Sequence, residues 1–169
     1  MSPYPTLRAE APADHASIRA LTDDAFAGAA HASGTEGAIV DALREAGALA
    51  LSLVAEEGGA IVGHVAFSPV AIPGAAGWFG LGPVAVRPDR QGRGIGAALI
   101  RDGLARLEAM GAQGCVLLGD PGYYRRFGFA PDPRLRFEGA PPEYFLRLAF
   151  PGAAPAAGAV AFHAAFHAA

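Results

Sequence analysis

The chain contains no lysine; all 13 of its basic residues are arginine. Charge is scarce as well, at 17% of residues, and the formal net charge is −3. Nucleic-acid binders usually carry a basic excess, so this balance offers no general attraction to a polyanion. The missing lysine also excludes a mononucleotide P-loop, which needs Lys-Ser/Thr after its last glycine. Cysteine is nearly absent too. Cys115 stands alone, so no internal disulfide can form and nothing argues for secretion.

Long unbroken apolar runs are lacking. Residues 58–86 carry no Asp, Glu or Arg, yet Pro69, Pro73 and Pro83 cut them into strand-length pieces. Residues 148–169 are equally uncharged but are broken by Pro151, Gly152, Pro155 and Gly158. A spanning helix needs about 20 predominantly apolar residues, so no membrane segment is expected. The first eight residues, Met1 to Arg8, contain no apolar signal core, and the expected location is cytoplasmic.

What is present is the composition of a folded protein, with 52% apolar residues. A length of 169 residues leaves room for one domain with a genuine core, taken here as 1–169. Two helices are predicted early, one starting at Pro12-Ala13-Asp14 with Asp14 as N-cap, and one over 35–46. The period then shifts to that of strands over 50–56, 60–68 and 78–86, with Glu57-Gly58-Gly59 as a hairpin turn. Pro83 cannot donate to a ladder, which marks an edge, a bulge or a splayed pair. A helix over 94–110, a buried strand over 114–118 and a short helix capped by Asp120 follow. Residues 144–150 and 160–166 are predicted as closing strands. The fold class is α/β (α+β) with a mixed sheet.

The chemistry concentrates at Arg90-Gln91-Gly92-Arg93-Gly94-Ile95-Gly96, which joins a strand to a long helix. Backbone N–H groups opening a helix are unpaired and partly positive, so they can hold a phosphate. Arg90 and Arg93 can add charge-assisted contacts. A tight turn that merely packs helix on sheet is the plainer reading. A dinucleotide-binding turn is also open, because Gly92, Gly94 and Ala97 satisfy G-x-G-x-x-A. Its fingerprint has glycine directly after the strand, whereas Arg87 to Gln91 intervene here. Asp120, the candidate ribose-binding acid, lies 28 positions after Gly92; about 20 is usual.

Gln91-x-x-Gly94-x-Gly96 resembles the Q/R-x-x-G-x-G/A signature of the GNAT superfamily of N-acetyltransferases. The likeness extends to Leu81-Gly82-Pro83-Val84-Ala85-Val86 before the signature and Tyr123-Tyr124-Arg125-Arg126-Phe127-Gly128-Phe129 after it. It implies a central, mixed, mostly antiparallel sheet flanked by about four helices, and acetyl-CoA as cosubstrate for transfer to an amine. It also implies that the fourth and fifth strands splay to admit the pantetheine arm. Val84 and Val86 would then offer backbone groups to the pantetheine amides. An N–H near Val84 or Ala85 would polarise the thioester carbonyl, and the N–H groups from Gln91 through Gly92, Arg93, Gly94 and Ile95 to Gly96 would cradle the pyrophosphate. Tyr124 would be the general acid for the departing thiolate.

Some family members place a carboxylate base on the fourth strand, and none occurs over 78–86. The asparagine that often precedes the tyrosine by seven residues is Leu117 here. Glu36, His31, His64 or an ordered water remain as bases, and His64 reads more simply as a core residue. The acceptor is expected between the loop around 26–36 and the C-terminal strands, with Asp23, Asp24, Glu36, Glu138 and Glu143 as partners for a cationic amine. Cys115 reads as a core thiol, and no His, Cys and acid cluster has metal-ligand spacing. Neither nucleic acid nor membrane is an expected partner, whereas an apolar C-terminal strand could pair two copies. A CoA-binding domain without turnover and an NAD(P)-dependent oxidoreductase are the competing functions.

Overall fold

The computed structural model describes residues 4–28 and 34–167; His31 lies outside them. In chain order the elements are β1 (Thr6–Ala9), α1 (His15–Phe26), α2 (Glu36–Glu45), β2 (Leu51–Glu57), β3 (Ala60–Pro69) and β4 (Trp78–Val86). They continue with α3 (Ile95–Ala109), β5 (Gly114–Leu118), α4 (Pro121–Tyr124), β6 (Leu135–Arg136), β7 (Phe145–Ala149) and β8 (Gly158–Ala159).

Six strands form one sheet in the order β1-β2-β3-β4-β5-β7, and only the β4–β5 pair is parallel. This is the mixed, mostly antiparallel sheet with four α-helices that the resemblance implied. Alternation along the strands divides the core. Leu53, Ala55, Val65 and Phe67 face the apolar stripe of α3 made by Ile95, Leu99, Leu104 and Leu107. On the other face Val54 packs against Ile18 of α1 and Val40 of α2.

β4 decides where a ligand can enter. Its register with β3 slips between Val65 and Phe67, opposite the Gly82–Pro83 bond, which is cis. On its other edge β4 meets β5 only at Trp78, Phe79 and Gly80, opposite Gly114, Cys115 and Val116. Beyond Gly80 the two strands part. Pro83 therefore marks both a bulge toward β3 and the open stretch toward β5.

Two expectations need correction, and one pairing went unforeseen. Asp14 stands at the N-cap position of α1 as expected, but its side chain does not bond forward into the helix; its carboxylate reaches back to the Ala11 N–H (2.7 Å) and Arg8 (2.7 Å). Residues 160–166 are not a strand. β8 ends at Ala159, Ala161 makes a single bridge to Ala71, and Ala164–His167 is a 3-10 turn. After Val160 the tail has no further β-branched residue to favour extended backbone, and His163 Nδ1 accepts the Ala165 N–H (3.0 Å) to start the turn. The small β6–β8 pair was not foreseen, because two-residue strands leave no periodic pattern.

Candidate active site

The glycine turn is built by local conformation. Gly92 and Gly94 have φ of 78° and 82°, a left-handed region that costs a side-chain-bearing residue energy. Among the described residues no side chain caps α3, and its first internal bond runs from the Ala98 N–H to the Gly94 carbonyl (3.0 Å). The N–H groups of Ile95, Gly96 and Ala97 thus have no partner within the helix, and these three residues line a cavity of about 340 Å³. Gly96 faces the edge of β4, where a Cβ would sit 3.5 Å from Val86.

The arginines divide. Arg90 is held by Glu57 (3.3 Å) and Asp89 (3.0 Å), so much of its charge is already balanced. Arg93 is exposed and has no ion pair among the described residues. Gln91 serves the backbone, its Nε2 donating to the Val86 carbonyl (3.0 Å) and tying the loop to the end of β4. Sequence reasoning missed Arg126, which lies over the Tyr123 ring (4.2 Å) and lines the same cavity. Its signal was the Tyr-Tyr-Arg-Arg run, but only folding turns Tyr123 toward the glycine turn.

Beyond Val86 the open edge of β4 continues to a larger cavity of about 620 Å³, lined by Val84, Pro83 and Tyr124 among others. The Arg87 N–H donates to the Val62 carbonyl (2.9 Å). Hydrogen-bonded pairs alternate in an antiparallel ladder, so Ala85 directs its backbone groups at His64 of β3. Val84 and Val86 therefore direct theirs away from β3, toward the gap left by β5. Ala85 is also 2% exposed, which takes it out of reach of a ligand in that gap.

Tyr124 is fixed by its neighbours. Asp120 caps α4 by accepting the Gly122 N–H (2.9 Å), and the Tyr124 ring lies over Gly119, where a Cβ would come within 2.5 Å of it. Phe129 holds the other side in an edge contact (6.1 Å). Burial pushes the phenol up to about 12, so it keeps its proton at neutral pH. Tyr123 and Tyr124, with rings at 89° to each other, line the smaller and the larger cavity respectively.

The candidate bases separate by place. Glu36 lines the larger cavity and accepts the Gly34 N–H (3.1 Å). His64 is fully buried, with Nε2 2.7 Å from Ser52 Oγ. Ser52 donates its hydroxyl proton to Glu10, because an ionised carboxylate only accepts, so it must accept from His64 Nε2–H. His64 Nδ1 is then a buried acceptor with no partner among the described residues. Cys115 is fully buried, which raises its thiol well above the usual range and leaves it inert.

Residues 49–131 match the family model of the acetyltransferase (GNAT) domain. The N-acetyltransferase YhbS of Escherichia coli is 41% identical over 125 residues, 73% of this chain and 72% of that protein. The chain belongs to the GNAT acetyltransferase family. A GNAT-family acetyltransferase of Brucella melitensis, solved with acetyl-CoA, superposes with a TM-score of 0.82 at 57% identity over 95% of this chain and 97% of its own. The structure of E. coli YhbS with CoA superposes with a TM-score of 0.87 at 34% identity, covering 99% of this chain and 95% of the other. GNAT membership retires the dinucleotide reading. The sheet agrees, since a doubly wound fold needs mostly parallel strands and this sheet has one parallel pair.

Proposed function

We propose that residues 1–169 act as one N-acetyltransferase domain that transfers acetyl from acetyl-CoA to an amine by direct attack in a ternary complex. The observation that carries this reading is the parting of β4 from β5 after Gly80, which leaves one open strand edge between the glycine turn and the larger cavity. The complexes of the Brucella and E. coli relatives with acetyl-CoA and CoA support the choice of thioester.

The pyrophosphate lies against the backbone from Gln91 to Gly96, drawn by the unpaired N–H groups that open α3 and by Arg93. Pantetheine runs along β4, where an extended chain can pair with the outward carbonyl of Val84 and the N–H of Val86. The Val86 carbonyl, already bonded to Gln91, helps to set the strand end. The thioester then reaches the larger cavity beside Val84 and Tyr124.

A neutral amine attacks the thioester carbon, the N–C bond forms, and the carbonyl electron pair moves to oxygen. The Val84 N–H stabilises that charge. When the intermediate collapses the C–S bond breaks, and Tyr124 donates a hydrogen bond to the departing sulfur. Full transfer from a phenol near 12 to a thiolate near 8.5 would cost about 5 kcal/mol. The phenol therefore passes its proton on only as the new amide nitrogen releases one, directly or through water. The products are an N-acetyl amide and the CoA thiol.

Replacing Tyr124 with Phe keeps the ring and removes the donor. Turnover should fall about 100-fold, the scale of a single general acid, with acetyl-CoA affinity within about twofold of the parent. Steady-state assay of thiol release, paired with calorimetric titration of acetyl-CoA, checks both. An unchanged turnover number would remove Tyr124 from the chemistry, and tight binding with no turnover in the parent would favour a CoA-binding domain without catalysis.

A further inference from the structure

The larger cavity also carries information about the acceptor. Its outer wall comes from four distant places: Phe26 at the end of α1, Glu36 in the first turn of α2, Phe137 after β6, and Phe162 with Phe166 in the C-terminal tail. These four phenylalanine rings are half-buried, each keeping a face or edge open. Three of them brace one another: Phe137 meets Phe162 edge-on at 5.0 Å, and Phe162 meets Phe166 at 5.6 Å.

The charge of this wall is equally informative. Among the described lining residues Glu36 is the one carboxylate, His167 the one imidazole, and no arginine is present. The other acids named as partners for an amine lie elsewhere: Asp24, Glu138 and Glu143 do not line the cavity, and Asp23 is paired with Arg19 (2.9 Å). A polyamine or an aminated sugar needs several carboxylates at matched spacing. An amino acid would bring its own carboxylate toward Glu36 with no arginine to receive it. A single ammonium on an apolar body meets one carboxylate and a set of ring faces that attract cations.

We propose that the acceptor is a primary monoamine carried on an aromatic or bulky aliphatic body, held by the phenylalanine cluster and steered by Glu36. This rests on the acetyltransferase reading above. The apolar body fills the space between Phe26, Phe137 and Phe162, and its amine points inward past Glu36 to the thioester beside Val84. Glu36 is a positioning group here, drawing the ammonium form into the cavity before the neutral amine reacts.

The test compares phenethylamine, ethylamine, spermidine, phenylalanine and a short lysine-containing peptide at saturating acetyl-CoA, after calorimetry has established that acetyl-CoA binds. Apolar pockets discriminate about tenfold or more per missing methylene-sized group. Phenethylamine should therefore exceed ethylamine in kcat/KM by about 100-fold and the three polar acceptors by at least about tenfold. Glu36→Gln keeps the shape and the acceptor oxygen for the Gly34 N–H. It should lower kcat/KM for phenethylamine about tenfold, mainly through KM, while the Kd for acetyl-CoA stays unchanged.

Failure to bind acetyl-CoA would overturn the acetyltransferase reading and this proposal with it. Normal acetyl-CoA binding with spermidine, phenylalanine or the peptide preferred would overturn this proposal alone. So would the absence of any heat when phenethylamine is titrated into the CoA-saturated protein.

Discussion

At the scale of single residues, His64 and Tyr124 show burial acting on two kinds of proton. Tyr124 is kept protonated, which suits a hydrogen-bond donor to a leaving thiolate. His64 is kept neutral: desolvation pushes its pKa down to about 4, although the nearby charge of Glu10 works the other way. Glu10 itself is lowered, because hydrogen bonds from Arg44 and Ser52 outweigh the burial that would raise it. Between pH 6.5 and 4 the unfolded chain binds a proton at this imidazole that the folded chain refuses, so stability falls as pH drops through that window. From pH 6.5 to 5 most carboxylates stay ionised in both states, and the loss due to His64 should be roughly 2 kcal/mol. Urea unfolding across this range measures it. A His64→Gln variant, whatever its stability at neutral pH, should lose that slope, and an equal slope in both proteins would assign it to other groups.

At the scale of elements, the seam between α3 and the sheet is a tight joint. A Cβ at Gly103 would fall 2.3 Å from the ring of Phe67, and both residues belong to fully packed surfaces. In an open helix Gly→Ala gains about 1 kcal/mol of propensity. Here the ring is 0% exposed and has nowhere to swing, so overpacking of about 1–3 kcal/mol opposes that gain. Gly103→Ala should therefore leave the protein less stable by about 1 kcal/mol, read as a lower urea midpoint at unchanged m-value. A stabilised variant would mean that α3 can lift from β3. That outcome would matter for the site, because α3 carries the N–H groups proposed to hold the pyrophosphate.

At the scale of the whole molecule, the proposed cosubstrate spans α3, β4 and the larger cavity, so its binding should tie these parts together. Acetyl-CoA at about 100 times its Kd should add roughly 2.7 kcal/mol and raise the Tm by about 5–10 °C, with NAD and NADP giving no shift. Differential scanning fluorimetry decides this, and a shift with NAD but not acetyl-CoA would reverse the assignment of the glycine turn. Much of this architecture was legible in the sequence for local reasons. Gly92 and Gly94 were readable because a left-handed turn admits little else, α3 because one buried face imposes its period on the residues, and β2, β3 and β5 because they are short apolar runs bounded by turns. Tyr124 stood out by its place in a recurring run, and its setting against Gly119 and Phe129 follows from the short helix that Asp120 starts. Other features had no local signature. Whether Pro83 marked an edge, a bulge or a splay depended on β3 and β5 lying on its two sides, and the tail at 160–166 took its turn from His163 and contacts with distant rings. The phenylalanine wall joins positions 26 and 137 to the 162/166 pair, and no spacing along the chain relates these three places. Periodicity and turn chemistry act between near neighbours and so are written in the order of residues, whereas a cavity belongs to surfaces that meet only when the chain has closed.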